Sequence, residues 1–334
     1  MKNKMLCLLA IMLVAACQRE EICQTRRYSA VTEGFETTRT SLNEDNEVLW
    51  SKDDMIAIFE NNDKPSKYQI TSSSAGKASA EFSLVTPAQK GSAIGADVAV
   101  YPYDESLAVS RMSTGMYRLK ELTVPAVQEY AAASFGPGAF PMIAISETGS
   151  GRLAFKNICG VLRLNLTGSE AVRSVTVKGN DGELLSGSFV LNMDPAGLPS
   201  VTAATGAAAE VKLDCGPEGV MLDGKSPTSF SIALPPVSFS KGFTVTVESV
   251  DGAEMTIRTD KKNPIRRSGI LNMPSVVFKP SYDGVTRVVI DALSVRFDGI
   301  DVRVKVTNVN EYSGGYKLKE DFVLSEVVRD ANWK

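Results

Sequence analysis

Two β-sandwich domains in series, followed by a short β extension, are predicted for this 334-residue chain by three observations. Apolar residues recur with a period of two in segment after segment, the signature of half-buried strands. Turn signals separate these segments about every ten residues: GNDG at 179–182, VDG ending at Gly252, FDG ending at Gly299 and SGG ending at Gly315. Gly, Ser, Thr and Val are abundant, whereas Leu, Glu, Lys and Ala at helical spacing are scarce, and this favours strand over helix.

The chain opens on an export signal. Lys2 and Lys4 precede the unbroken apolar run from Met5 to Ala16, the basic and apolar regions of a secretory leader. As a helix, at about 1.5 Å per residue, the run reaches roughly 18 Å against a hydrocarbon core of ~30 Å, so residues 1–16 read as a removable signal rather than a permanent span. Val14-Ala15-Ala16-Cys17 sets small residues before a cysteine and resembles a bacterial lipobox, which assigns Cys17 as the lipidation site. An ordinary signal peptide cut near a cysteine is the alternative. A single acyl chain holds a protein to a membrane only marginally, whereas two or three on one cysteine anchor it. Gln18-Arg19-Glu20-Glu21 resembles the export tag of Bacteroidetes surface lipoproteins, so the expected place is the outer membrane, facing out.

Composition narrows the chemistry. Without the signal the chain carries 34 basic and 39 acidic residues, a net charge of −5, and no basic patch marks a nucleic-acid partner. Histidine is absent throughout. Its absence removes the Ser-His-Asp triad, the Cys-His pair and the commonest general base at neutral pH. Asp53 and Asp54 are neighbours, and in a strand they point to opposite faces and cannot share one bond. NEDNE at 43–47 lacks the glycine a calcium loop needs. Neither catalysis nor a cofactor or metal is expected. Beyond Cys7 and Cys17 the cysteines are Cys23, Cys159 and Cys215, with no CxxC spacing, so neither a disulfide framework nor a zinc site is indicated. Val211, Leu213 and Cys215 share parity and are expected to face a core as inert packing.

The elements follow in order. Residues 17–45 are polar and read as a tether with one early strand. Residues 46–150 hold strands expected around Val48–Trp50, Met55–Phe59, Tyr68–Ile70, Phe82–Val85 and Val98–Tyr101, then a Pro/Gly-punctuated crossing that ends in one strand. ETGSG at 147–151 marks a domain boundary. In 151–280, Leu162, Leu164 and Leu166 alternate with Arg163, Asn165 and Thr167, and Phe243, Val245 and Val247 alternate with Thr244, Thr246 and Glu248. In 281–334, Ile300, Val302, Val304 and Val306 alternate with Asp301, Arg303, Lys305 and Thr307.

VLWSKDDMIAIF (48–59), AVYPYD (99–104), LTVPAVQEY (122–130), LAFKNICGVLRLNLTG (153–168), VRSVTVKGNDGELLSG (172–187) and ILNMPSVVF (270–278) together resemble the fimbrillin-like family of Bacteroidetes, the major and minor fimbrium subunits of type V pili. The resemblance covers about residues 45–280. It implies two β-sandwich domains of transthyretin-like, Greek-key type. It also implies an acylated precursor, trimming after an N-terminal arginine and polymerisation with other pilin subunits by strand exchange. Arg26, Arg27 and Arg39 are the candidate cut sites, and Ile300, Val302, Val304 and Val306 the candidate donor strand. Expected partners are further pilin subunits, the outer-membrane lipid through acylated Cys17, and a host or bacterial surface ligand. The competing reading is a surface lipoprotein that binds glycans for an uptake system. Sugar faces need aromatic platforms, and the chain has only two tryptophans, Trp50 and Trp333.

Overall fold

A computed structural model of the chain describes residues 26–35, 48–280, 287–296 and 299–307. Cys17, Cys23, Arg39 and Trp333 lie outside these residues. The described part is all-β: its strands carry the alternating or continuous apolar runs read above, and its one helical turn is the short 3-10 segment Ser72–Ser74.

In chain order the strands are β1 (Arg27–Val31), β2 (Met55–Glu60), β3 (Ser66–Ile70), β4 (Ser79–Thr86), β5 (Asp97–Tyr101), β6 (Ala108–Arg111), β7 (Tyr117–Val124), β8 (Val127–Ala131), β9 (Ser134–Phe135), β10 (Met142–Ser146), β11 (Arg152–Ala154) and β12 (Lys156–Asn157). Then come β13 (Gly160–Thr167), β14 (Ala171–Gly179), β15 (Gly187–Met193), β16 (Ser200–Ala203), β17 (Glu210–Asp214), β18 (Val220–Met221), β19 (Thr228–Leu234), β20 (Val237–Phe239), β21 (Phe243–Ser249), β22 (Glu254–Thr259), β23 (Asn263–Ile265), β24 (Ile270–Val277), β25 (Arg287–Arg296) and β26 (Gly299–Thr307).

An eight-stranded sheet has the order β11-β1-β4-β3-β2-β5-β10-β12. Its middle strands are buried on both faces. Ile56, Ile58, Ala99 and Tyr101 enter one core with Trp50, Phe82 and Phe155. Ala57, Phe59, Val98 and Val100 enter a second core with Leu119, Leu122 and Leu191, beneath the four-stranded sheet β16-β15-β7-β6. Burial on two faces explains why MIAIF and VAVY are continuous apolar runs rather than alternating ones. A third core lies between β13, β19 and β24 and the sheet carrying β14, β17 and β21. β19 is buried on both faces over Phe230–Leu234, but β13 and β21 each wet one face, and their alternation holds. Leu162, Leu164 and Leu166 are buried between half-buried Arg163, Asn165 and Thr167, and Phe243, Val245 and Val247 behave likewise.

ETGSG is a turn, with Ser150 N–H donating to Glu147 O at 3.0 Å. Strands cross the 150/151 position in both directions. β11 and β12 pair within the eight-stranded sheet, β7 pairs with β15, and β8 lies parallel to β17. The first core correspondingly gathers Tyr28 and Trp50 with Val161, Phe189, Ala233 and Ile270.

Some expectations fail locally. Val48–Trp50 is not a strand: Trp50 exchanges backbone hydrogen bonds with Lys77 O (3.0 Å) and Gly76 N–H (2.7 Å) outside any ladder. The crossing expected to end in one strand holds β8 and β9 as well as β10, and β6 and β7 precede it.

Candidate functional site

A cut near the N-terminus first meets β1, and β1 is built into the sheet. It runs antiparallel to β4, with Tyr28 opposite Phe82 and Ala30 opposite Ala80, and parallel to β11, with Ala30 opposite Leu153. RYSAV alternates, so Tyr28 and Ala30 are buried and Arg27 and Ser29 exposed. Backbone bonds continue the ladder past both ends: Leu84 N–H donates to Arg26 O at 3.2 Å, and Thr32 N–H to Ala78 O at 3.0 Å. Were β1 withdrawn, β4 and β11 would face each other across a row of unpaired backbone groups above an apolar floor, an edge that recruits any strand of matching period.

The head of β1 is held by carboxylates. Tyr28 OH donates to Asp97 Oδ2 at 2.9 Å, and Tyr68 OH and Arg26 Nη1 donate to Glu60 Oε1 at 2.8 and 3.0 Å. Glu60 and Asp97 are directly opposed across β2 and β5. The two phenol rings meet edge to face, centroids 5.3 Å apart. Burial, and after it the hydrogen bond to Asp97, pushes the Tyr28 phenol above its ordinary range. Burial and the Glu60 bond do the same for Tyr68. Both phenols therefore stay protonated and remain donors.

The tail is held by a clasp from the far end of the chain. Glu33 receives a two-pronged contact from Arg267, Nη2 to Oε1 at 3.0 Å and Nη1 to Oε2 at 2.5 Å. Asn157 N–H donates to Glu33 Oε2 at 2.9 Å, and Ser268 Oγ to Gly34 O at 2.9 Å. Phe35 then packs on Phe140 at 5.3 Å and Phe135 at 6.1 Å. With side chains only 13% and 30% exposed, Arg267 and Glu33 form a pair shielded enough to count, since two-pronged guanidinium–carboxylate contacts combine charge with geometry. Nothing local in the sequence betrays this clasp, because its members lie 234 residues apart.

Two of the three candidate cut sites, Arg26 and Arg27, stand exposed at the very start of β1. Arg26 pairs with Glu60, and Arg27 lies 3.8 Å from Glu81. The candidate donor residues occupy β26, which forms a hairpin with β25. Ile300, Val302, Val304 and Val306 stand opposite Val295, Leu293, Ile290 and Val288. A two-stranded ribbon is marginal alone in water.

Other sequence candidates are structural. Trp50 is 2% exposed and meets Phe82, Tyr101 and Phe155 edge to face at 5.0, 5.5 and 5.3 Å, so it is no sugar platform. Asp53 is exposed and Asp54 buried. They sit in a turn rather than a strand, and Asp54 accepts from Ser51 N–H at 2.6 Å and Tyr101 OH at 2.9 Å. Burial raises the pKa of Asp54. Cys159 is fully buried, and Cys215 is half-buried against the third core. Burial pushes the Cys215 thiol up to about 12 and raises that of Cys159 as well. Among the described residues no group of three or more His, Cys, Asp or Glu side chains is placed to hold a metal ion, and no helix is long and apolar enough to cross a membrane.

No family model matches the chain, and no curated protein does. Among solved structures, it is similar to a protein of Bacteroides ovatus assigned to cell adhesion, at 12% identity and a TM-score of 0.46, over 84% of this chain and 97% of that one. A protein of Bacteroides uniformis with the same assignment is similar at 14% identity and a TM-score of 0.40, over 85% and 98% of the two chains. A fimbrial protein of Bacteroides ovatus is similar at 9% identity and a TM-score of 0.29, over 76% of this chain and 50% of that one.

Proposed function

We propose that this chain is a subunit of a surface fibre, or an adhesin carried by one, exported on an acylated Cys17, released by a cut after Arg39 and joined to its neighbours by strand exchange. The observation that carries this reading is the position of β1, an N-terminal strand inserted between β4 and β11. Of the three candidate arginines only Arg39 follows β1 in the chain. A cut after Arg26 or Arg27 frees the lipid and leaves the strand; a cut after Arg39 frees the strand too.

The exchange trades a small apolar strand for a larger one. β1 buries one tyrosine and one alanine, whereas an incoming β26 offers Ile300, Val302, Val304 and Val306. Four such side chains are worth roughly 6–12 kcal/mol on burial before ordering costs. Cys17 ties the precursor to the outer membrane until the cut is made, and loss of β1 leaves each subunit one open groove between β4 and β11.

The test is cleavage of the full-length precursor with an arginine-specific protease, followed by electrophoresis without boiling. The wild type and an Arg26→Ala, Arg27→Ala double variant are expected to give a ladder of polymers, and Arg39→Ala a single monomer band. A ladder from Arg39→Ala contradicts the proposal.

A further inference from the structure

The four-stranded sheet turns Leu119, Leu122, Phe189 and Leu191 inward. Its outer face bears an open groove of about 660 Å³, lined among others by Arg118, Lys120, Glu121, Thr123, Ser188 and Asn192. That volume falls within the range that accommodates a small ligand.

One extra residue gives the groove its charge. The register between β7 and β15 steps from Leu122 opposite Phe189 to Leu119 opposite Leu191, so Lys120 and Glu121 together oppose Val190. Such a bulge re-aims side chains, and here both residues line the groove. Glu121 is held at φ +62°, a conformation uncommon for a residue other than glycine. Strain of this kind persists where the surroundings impose it and gathers at functional positions. Neither the Lys120 nor the Glu121 side chain forms a hydrogen bond or ion pair with another described residue. Arg118 is aimed by Asn192, whose Oδ1 accepts from Nε at 3.0 Å, and no carboxylate pairs with it.

We propose that this groove binds an acidic saccharide. Two unpaired cations call for a ligand carboxylate, which the Arg118 guanidinium meets in two-pronged fashion. The carboxylate of Glu121 accepts hydrogen bonds from the hydroxyl groups of a sugar, which a plain inorganic anion cannot donate. Thr123, Ser188 and Asn192 supply further polar contacts. No aromatic residue lines the groove, so a neutral glycan would lack a stacking platform and leave the cations unanswered. The binding is a property of the single chain and does not rest on strand exchange.

Calorimetric titration of the full chain tests it, with trigalacturonate and 3′-sialyllactose as acidic probes, the methyl ester of trigalacturonate and lactose as neutral counterparts, and inorganic sulfate as the plain anion. At least one acidic probe is expected to bind, with its neutral counterpart about tenfold weaker or more. Arg118→Ala should weaken the acidic probe by a similar factor, and Glu121→Gln should weaken it as well. Arg173→Ala, on β14, should leave it unchanged. Arg118→Lys keeps the charge and guards against misfolding; it should retain the melting temperature and lose the two-pronged contact. Equal affinity for acid and neutral forms, indifference to Arg118→Ala in a folded protein, full competition by sulfate, or no binding of either acidic probe at millimolar concentration would each overturn the proposal.

Discussion

Trp50→Ala is expected to cost about 3–5 kcal/mol of folding stability, the range for truncating a large buried aromatic. The indole is 2% exposed, and each of its three aromatic neighbours belongs to a different part of the first sheet: Phe82 to β4, Tyr101 to β5, and Phe155 to the residue after β11. β4 and β11 are the two strands that flank β1. Trp50 therefore holds together the floor of the slot that β1 fills, whether or not β1 is present. Urea unfolding of the variant should show a lowered midpoint, and the arginine-cleaved variant should fail to ladder even though Arg39 is intact. A loss below about 1 kcal/mol would mean that the aromatic cluster is not the floor described, since surface-like sites tolerate such changes.

A disulfide between positions 29 and 81 is expected to abolish assembly entirely while it is oxidised. Ser29 and Glu81 are directly opposed across β1 and β4, and both are exposed, so cysteines there leave the core untouched. Opposed residues of an antiparallel pair lie close enough for a bridge. In a Ser29→Cys, Glu81→Cys chain with Cys23 replaced by serine, cleavage after Arg39 would leave the severed segment stapled in its slot. Non-reducing electrophoresis should then show monomer alone, and adding a reductant should start the ladder. Cys159 and Cys215 should not interfere, because burial keeps both thiols protonated at neutral pH. A ladder from the oxidised protein would show that neighbours join somewhere other than the β1 slot.

Much of the fold was legible because one-sided strands announce themselves. β13 and β21 alternate cleanly since each wets one face, and β2 and β5 read as continuous runs since they wet neither. β7 was missed for a physical reason. Its bulge shifts the buried positions from Tyr117 and Leu119 to Leu122 and Val124, so the parity breaks in mid-strand. β8 inverts the usual polarity. Val127 is 59% exposed, while Gln128 is buried and bonds both backbone groups of Ala233 at 2.8 and 2.9 Å. Val48–Trp50 looked like a strand because it is apolar, but Trp50 is buried by rings rather than by a ladder.

The site itself was half legible. The arginines and the alternation of Ile300 to Val306 are visible in one dimension. The clasp of Glu33 with Arg267, and the carboxylates that receive Tyr28 and Arg26, join residues brought together only by the fold. The pairing of Ile300 to Val306 with β25 is likewise known only from the fold, because the register shifts between Ile290 and Ala292.

Sequencing the N-terminus of the protein recovered from assembled surface material tests most directly whether β1 is the strand that leaves. The account predicts a chain that begins at Thr40, with Arg27–Val31 gone. A mature chain that still carries Tyr28–Val31, whether it begins at acylated Cys17 or at Tyr28, would contradict it.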